Sequence, residues 1–142
     1  MSDIYTMPGH LIRRLNQISA SIFQDRMAAM GLDLTSVQYA ALSTLAKHPG
    51  IDQATLAGMI AYDHPLVARI TSARDRRARE LALTDSGAAL LERVHPEVLA
   101  IQPAILSGLS DDERALFMTL AARAAEAGND RSRAPLRHRT DN

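Results

Sequence analysis

Residues 73–87, ARDRRARELALTDSG, constrain the fold more than any other stretch of this sequence. Four arginines lie within the six positions 74–79. Leu81 and Leu83 then alternate with other residues as in a short β-strand, predicted over residues 80–84. The letters TDSG that follow are typical of the first turn of a helix. The order of basic segment, strand and helix start predicts one side of a β-hairpin from which a long helix departs.

The chain before this segment is predicted to be helical. Apolar residues recur with a 3.6-residue period from Pro8 to Met30, and Gly31 is the expected stop of this first helix. Thr35 and Gln38 have the spacing of a capping box, which opens a second helix over residues 36–47.

Two short helices are predicted next. Asp52 is placed to cap a helix over residues 53–61, and residues 62–65 form a tight junction. Pro65 is tolerated in the first turn of a helix, so a second short helix is expected from Pro65 to about Ser72.

Two longer helices complete the sequence. The first starts at Thr84 and continues through Ala100 and beyond, and Pro96 and Pro103 are expected to kink or divide it. The last one starts at the capping box of residues 110–113 and ends near residue 127. The polar, arginine-rich residues 128–142 are expected to form a flexible tail.

Composition narrows the class of protein. The 142 residues are 46% apolar, carry no net charge and include no cysteine, which suits one cytoplasmic domain and excludes a disulfide framework. No apolar run is long enough to span a membrane, and no signal peptide is recognisable. The five histidines are dispersed, so no metal or other cofactor is predicted. No nucleophile, phosphate-binding or paired-carboxylate motif indicates an enzyme.

Two short helices followed by a basic hairpin have the order of a winged helix-turn-helix. The first short helix would cross the DNA backbone, and the second would enter the major groove with its N-terminal residues near base edges. The arginines would bind phosphates or a narrow minor groove, because guanidinium stays charged and forms forked hydrogen bonds.

The sequence resembles the MarR family over roughly residues 8–127. The motifs that carry the resemblance are the wing Asp75-Arg76-Arg77, the strand Leu81-Ala82-Leu83 and the helix start Thr84-Asp85-Ser86-Gly87. The stretches PGHLIRRLNQI and DLTSVQYAALSTLAKHPGIDQATLA are similar to the family's first two helices. The opening stretch is most like members that control degradation of aromatic acids, nicotinate-type compounds included.

This resemblance implies a mainly α, winged helix-turn-helix repressor that acts as an obligate homodimer. It would bind double-stranded DNA at a pseudo-palindromic operator and release it when a small aromatic carboxylate or phenol binds. Residues 1–34 and 85–127 would form the dimerisation helices, residues 35–84 the DNA-binding lobe and residues 128–142 the tail.

Candidate site residues follow from both arguments. The predicted DNA contacts are Gln53, Thr55, His64, Arg69, Arg74, Arg76 and Arg77. The predicted effector pocket combines a cationic corner with aromatic walls, formed by His10, Arg13, Arg14, Tyr39 and Tyr62.

One departure from the family pattern stands out. No first wing strand is evident in the sequence before Ala73, and the recognition helix predicted there is too short. Either about 10–15 residues are deleted, roughly a helix end and one strand, or residues are missing from the sequence between Arg69 and Arg74. We favour the second explanation, which predicts a break in the chain there. If the wing has been lost, the alternative function is a helical homodimeric interaction or ligand-binding module without DNA binding.

Overall fold

The computed structural model describes residues 3–47, 66–71 and 79–131. The helices and strands are a 3-10 turn at Ile4–Thr6, α1 at Pro8–Ala29, α2 at Ser36–Lys47, β1 at Val67–Thr71, β2 at Arg79–Leu83, α3 at Asp85–Ile105, α4 at Asp111–Ala127 and a 3-10 turn at Asn129–Arg131. They belong to two compact units, Met1–Ile105 and Leu106–Asn142. The predicted mainly helical fold with a small β-wing is confirmed.

Helix α1 ends as the sequence predicts. Gly31 adopts φ 72°, a left-handed conformation that costs glycine little because it has no Cβ. The Gly31 N–H donates to the Ala28 carbonyl at 3.0 Å, and the Leu32 N–H donates to the Met27 carbonyl at 2.8 Å. This pair of bonds satisfies the last carbonyls of the helix and turns the chain towards α2.

Both predicted capping boxes are present. The Gln38 N–H donates to the Thr35 hydroxyl at 3.1 Å, and the Thr35 N–H donates to the Gln38 side chain at 3.0 Å. Ser110 and Glu113 make the same reciprocal pair at the start of α4. There the Ser110 backbone N–H, followed by its hydroxyl, holds the pKa of the Glu113 carboxyl below its ordinary value.

The core of the first unit lies between α1, α2 and α3. Its buried side chains come from the C-terminal half of α1, from the loop between α1 and α2, from one face of α2 and from the middle of α3. They are Phe23, Met27, Leu34, Ala41, Leu42, Leu45, Val94 and Val98. At its edge Arg26 forms an ion pair with Glu97, which joins α1 to α3. Such a half-exposed pair adds little to stability, so the aliphatic core carries the packing of the three helices.

The hairpin contradicts the predicted recognition helix. Residues 67–71 form strand β1, which pairs antiparallel with β2 from Val67 opposite Leu83 to Thr71 opposite Arg79. The prediction of a helix from Pro65 to Ser72 is therefore wrong over these residues. A short apolar run has no period long enough to separate helix from strand, and here the partner strand decides.

The sequence predicts that the first strand of the wing is missing, and this prediction is also wrong. Two strands of five residues each close the hairpin, and residues 72–78 connect them. The chain is continuous from Arg69 to Thr71, so no break lies there; residues 72–74 are outside the described part. The strand that seemed to be absent occupies the sequence assigned to the recognition helix.

Helix α3 continues beyond Ala100, as the sequence predicts. It runs from Asp85 to Ile105 with Pro96 and Pro103 inside it, so neither proline divides it. Each proline removes one backbone donor, and the remaining bonds and the packing of Val94 and Val98 keep the helix intact. The start of the predicted flexible tail is ordered as well, since Asn129–Arg131 form a 3-10 turn.

The motif Thr84-Asp85-Ser86-Gly87 joins the hairpin to α3. The Thr84 hydroxyl accepts a hydrogen bond from the Gly87 N–H at 3.1 Å, as a helix cap does. The Thr84 N–H donates to the Leu66 carbonyl at 3.1 Å. A Cβ on Gly87 would lie 2.3 Å from that same carbonyl oxygen. Only glycine lets the start of β1 lie this close to the helix.

We therefore expect Gly87→Ala to lower the free energy of unfolding by about 2 kcal/mol or more, as overpacking of a fixed backbone does. Gly9→Ala is the matched control, because Gly9 also lies in the first turn of a helix and a Cβ there meets nothing within 4 Å. Urea denaturation at one protein concentration measures both variants. Equal stability of the two would show that the contact between residues 66 and 87 is unimportant.

Candidate DNA-binding wing and effector site

The two strands of the hairpin flank the arginine-rich segment in the sequence. Thr71 and Arg79 form the last strand pair, and the seven residues that connect them include Arg74, Arg76 and Arg77. These three arginines lie outside the described residues, so their role stays a prediction. The connection is longer than the roughly two to five residues that are usual in a β-hairpin.

The other predicted DNA contacts divide into two groups. Gln53, Thr55 and His64 lie outside the described residues, as does Tyr62 of the predicted effector pocket. Arg69 lies in β1 opposite Leu81. Its assignment to the N-terminal part of a recognition helix is wrong, because the residue belongs to the wing.

A cluster around His10 has the chemistry of an anion site. The imidazole of His10 is half-buried, and its Nε2 atom is buried without a hydrogen-bond partner among the described residues. The Tyr5 ring meets the imidazole edge-on, with centroids 5.5 Å apart. A buried nitrogen without a partner costs about 1–3 kcal/mol, which an acceptor on a ligand would offset.

Two arginines extend this cluster along α1. Arg13 and Arg14 follow His10 at the spacings i+3 and i+4, so all three residues lie on one side of the helix. Both arginine side chains are exposed. A guanidinium at this position can bind a carboxylate through two parallel hydrogen bonds. The group of Tyr5, His10, Arg13 and Arg14 is called the His10 cluster below.

Tyr39 belongs to a second aromatic group. Its hydroxyl lies 2.8 Å from His95 Nδ1, and its ring packs against Phe23 with centroids 5.9 Å apart. Tyr39 thus joins α2 to both α1 and α3. His10 and Phe23 are thirteen residues apart on α1, a separation of about 20 Å along a helix. Within one chain the predicted pocket therefore divides into two separate groups.

Sequence reasoning missed two members of these groups. Tyr5 precedes α1 in a 3-10 turn, and the only signal for it is an aromatic residue five positions before His10. His95 lies 56 residues from Tyr39, and no local pattern connects the two. Both are found only once the chain has folded.

The comparisons with known proteins assign the family. No protein-family model matches the chain. The transcriptional repressor NicR of Pseudomonas putida is 31% identical over 131 residues, which cover 83% of this chain and 82% of NicR. The transcriptional regulator HosA of Escherichia coli O127:H6 is 34% identical over 124 residues, which cover 78% of this chain and 89% of HosA.

Solved structures agree. Bordetella bronchiseptica BpsR, whose DNA binding is regulated by 6-hydroxynicotinic acid, superposes with a TM-score of 0.73 at 28% identity. The match covers 88% of this chain and 97% of BpsR.

None of the helices that the structure describes is long and apolar enough to cross a membrane. With its two-stranded wing, its long helices and these relatives, the chain belongs to the MarR family of winged helix-turn-helix transcriptional regulators and is not an enzyme.

Proposed function

We propose that the protein is a homodimeric repressor in the cytoplasm that binds a pseudo-palindromic DNA site and releases it when a small aromatic acid binds. The likeness to BpsR along nearly the whole chain carries this proposal, since BpsR combines DNA binding with a hydroxynicotinic acid effector. The β1–β2 hairpin packs closely against α3 at Gly87. This arrangement is consistent with a wing that contacts DNA.

Exposed apolar surface supports a homodimer. In the first unit, Leu11, Ile12 and Ile18 of α1 are exposed, whereas the C-terminal half of the same helix is in the core. In the second unit α4, described along its whole length, has no buried residue. Its Leu116, Met118 and Leu120 are exposed. A helix of this kind gains most of its stability from a partner. A second copy of the chain would bury both surfaces.

The His10 cluster supports an aromatic acid as effector. Tyr5 offers a ring edge, His10 an unsatisfied buried nitrogen and Arg14 a guanidinium within one helical turn. An aromatic carboxylate carries both a ring and an anion, the two kinds of group that such a cluster can contact. Tyr39 and His95 would be part of the same pocket only if the second chain brought the two groups together.

The alternative is a helical ligand-binding module that does not bind DNA. Its dimer surfaces and its effector cluster would be the same as those of a repressor. DNA binding separates the two functions, because only the repressor requires the basic wing tip.

We expect Arg76→Ala to weaken binding to a duplex from the region upstream of the gene and to reduce the slope of log K against log salt by about 1, the effect of losing one phosphate contact. Arg123→Ala is the control, since it removes an exposed arginine of α4 instead. Fluorescence anisotropy at several salt concentrations measures both slopes. Absence of duplex binding at low salt would favour the alternative function.

An aromatic acid that binds the folded protein should raise its stability by about 2.7 kcal/mol at a concentration of 100 Kd. Thermal melting with benzoate, hydroxybenzoate and hydroxynicotinate tests this expectation. His10→Ala and Arg14→Ala should each weaken the affinity about tenfold or more, as the loss of a charge-assisted bond does. Arg123→Ala should leave it unchanged. Loss of binding in Tyr39→Phe but not in these variants would place the effector at the Tyr39 group.

Ile12→Glu should shift the protein from dimer to monomer at micromolar concentration, because it places a charge in an apolar interface. Val37→Glu is the matched control: Val37 on α2 is 53% exposed and Ile12 is 66% exposed. Light scattering measures the mass, and circular dichroism shows whether the variant is still folded. A folded Ile12→Glu dimer would mean that this side of α1 is not the interface.

A further inference from the structure

The segment between α2 and β1 has fewer residues than a helix-turn-helix needs. Helix α2 ends at Lys47 and β1 begins at Val67, so nineteen residues, 48–66, connect them. A helix-turn-helix needs two helices and a turn of 3–4 residues, about 26 residues for helices of average length. The number of residues available is therefore smaller than the number that the motif requires.

The alignments with relatives show the same shortage. The alignment with NicR has 131 positions and includes 83% of the 142 residues of this chain, which is about 118 residues. About 13 positions of NicR therefore have no counterpart in this chain. The match to HosA extends over 124 positions against about 111 residues, again a difference of about 13. Both alignments thus contain about 13 positions that this chain lacks.

The described elements exclude most other places for this deletion. Helices α1, α2, α3 and α4 have 22, 12, 21 and 17 residues, none shorter than an average helix. The hairpin has two complete strands in register. Nineteen residues together with the missing 13 would be enough for two helices, their turn and the flanking links. The shortage therefore lies between α2 and β1.

We infer that this chain lacks the residues of a complete recognition helix and binds DNA with little discrimination between sequences, chiefly through phosphate contacts of the wing. The inference rests on the DNA binding of the proposed function and replaces its pseudo-palindromic site with phosphate contacts that any duplex offers. A helix over residues 53–61, as the sequence predicts, would leave five residues before β1 begins at Val67. Five residues make less than two turns of helix, too few to fill the major groove.

This changes what limits repression. Base contacts in the major groove distinguish one sequence from another, whereas phosphate contacts supply affinity that depends on salt. Specific regulators bind their sites about 10³–10⁷-fold more tightly than other DNA. A chain that keeps the wing but lacks the recognition helix should retain the salt dependence of DNA binding. It should lose most of the difference in affinity between a specific site and other DNA.

The test compares three full-length proteins. The first is the natural chain. The second carries about 13 residues taken from the recognition helix of NicR, inserted between Asp63 and His64. The third carries a Gly-Ser segment of equal length at the same place. Each is selected against a library of random 23-base-pair duplexes, and anisotropy then measures the enriched duplex and a shuffled one at fixed salt.

We expect the natural chain and the Gly-Ser variant to bind both duplexes with affinities within about tenfold. The variant with the NicR residues should enrich a recurring motif and prefer it by about a thousandfold, the lower range of specific binders. Discrimination above a hundredfold by the natural chain would overturn the inference and leave the proposed repressor intact. No binding of any duplex would support the missing helix but refute the repressor function, so the two failures are distinguishable.

Discussion

The close approach of the Leu66 carbonyl to Gly87 is the contact on which the wing depends. It holds the first residue before β1 against the first turn of α3, and the Thr84 N–H completes the joint with a hydrogen bond to the same oxygen. Because the hairpin has only two strands, it cannot be stable alone and needs such an attachment. Through α3 the position of the wing is coupled to the core around Val94.

The two halves of α1 differ in their burial. The aliphatic core ties α2 and α3 to the C-terminal half of α1, while the N-terminal half of α1 keeps apolar side chains exposed. The His10 cluster lies on that same exposed half. A second chain that covers this half would also close over the cluster, which gives a physical route from effector binding to the geometry of the dimer.

Local features of this fold could be predicted from the sequence. The capping boxes at Thr35 and Ser110 and the stop at Gly31 depend on residues within a few positions of one another, so their patterns are sufficient. The long helices follow from a period sustained over many turns. The wing motif with its TDSG turn is specific enough to indicate the family by itself, and the relatives NicR and HosA confirm it.

Contacts between distant residues could not be predicted in this way. Whether Val67–Thr71 is a helix or a strand depends on β2, and the pairing of Tyr39 with His95 depends on the packing of α2 against α3. The sequence pattern indicates that residues are missing, but the predicted gap between Arg69 and Arg74 rested on a helix where the structure has strand β1. The sequence by itself determined the family, the two capping boxes and the end of α1 at Gly31, because these are encoded locally. The tertiary structure alone decided which segment is the first wing strand and why position 87 must be glycine, because both depend on a backbone that approaches from elsewhere in the chain.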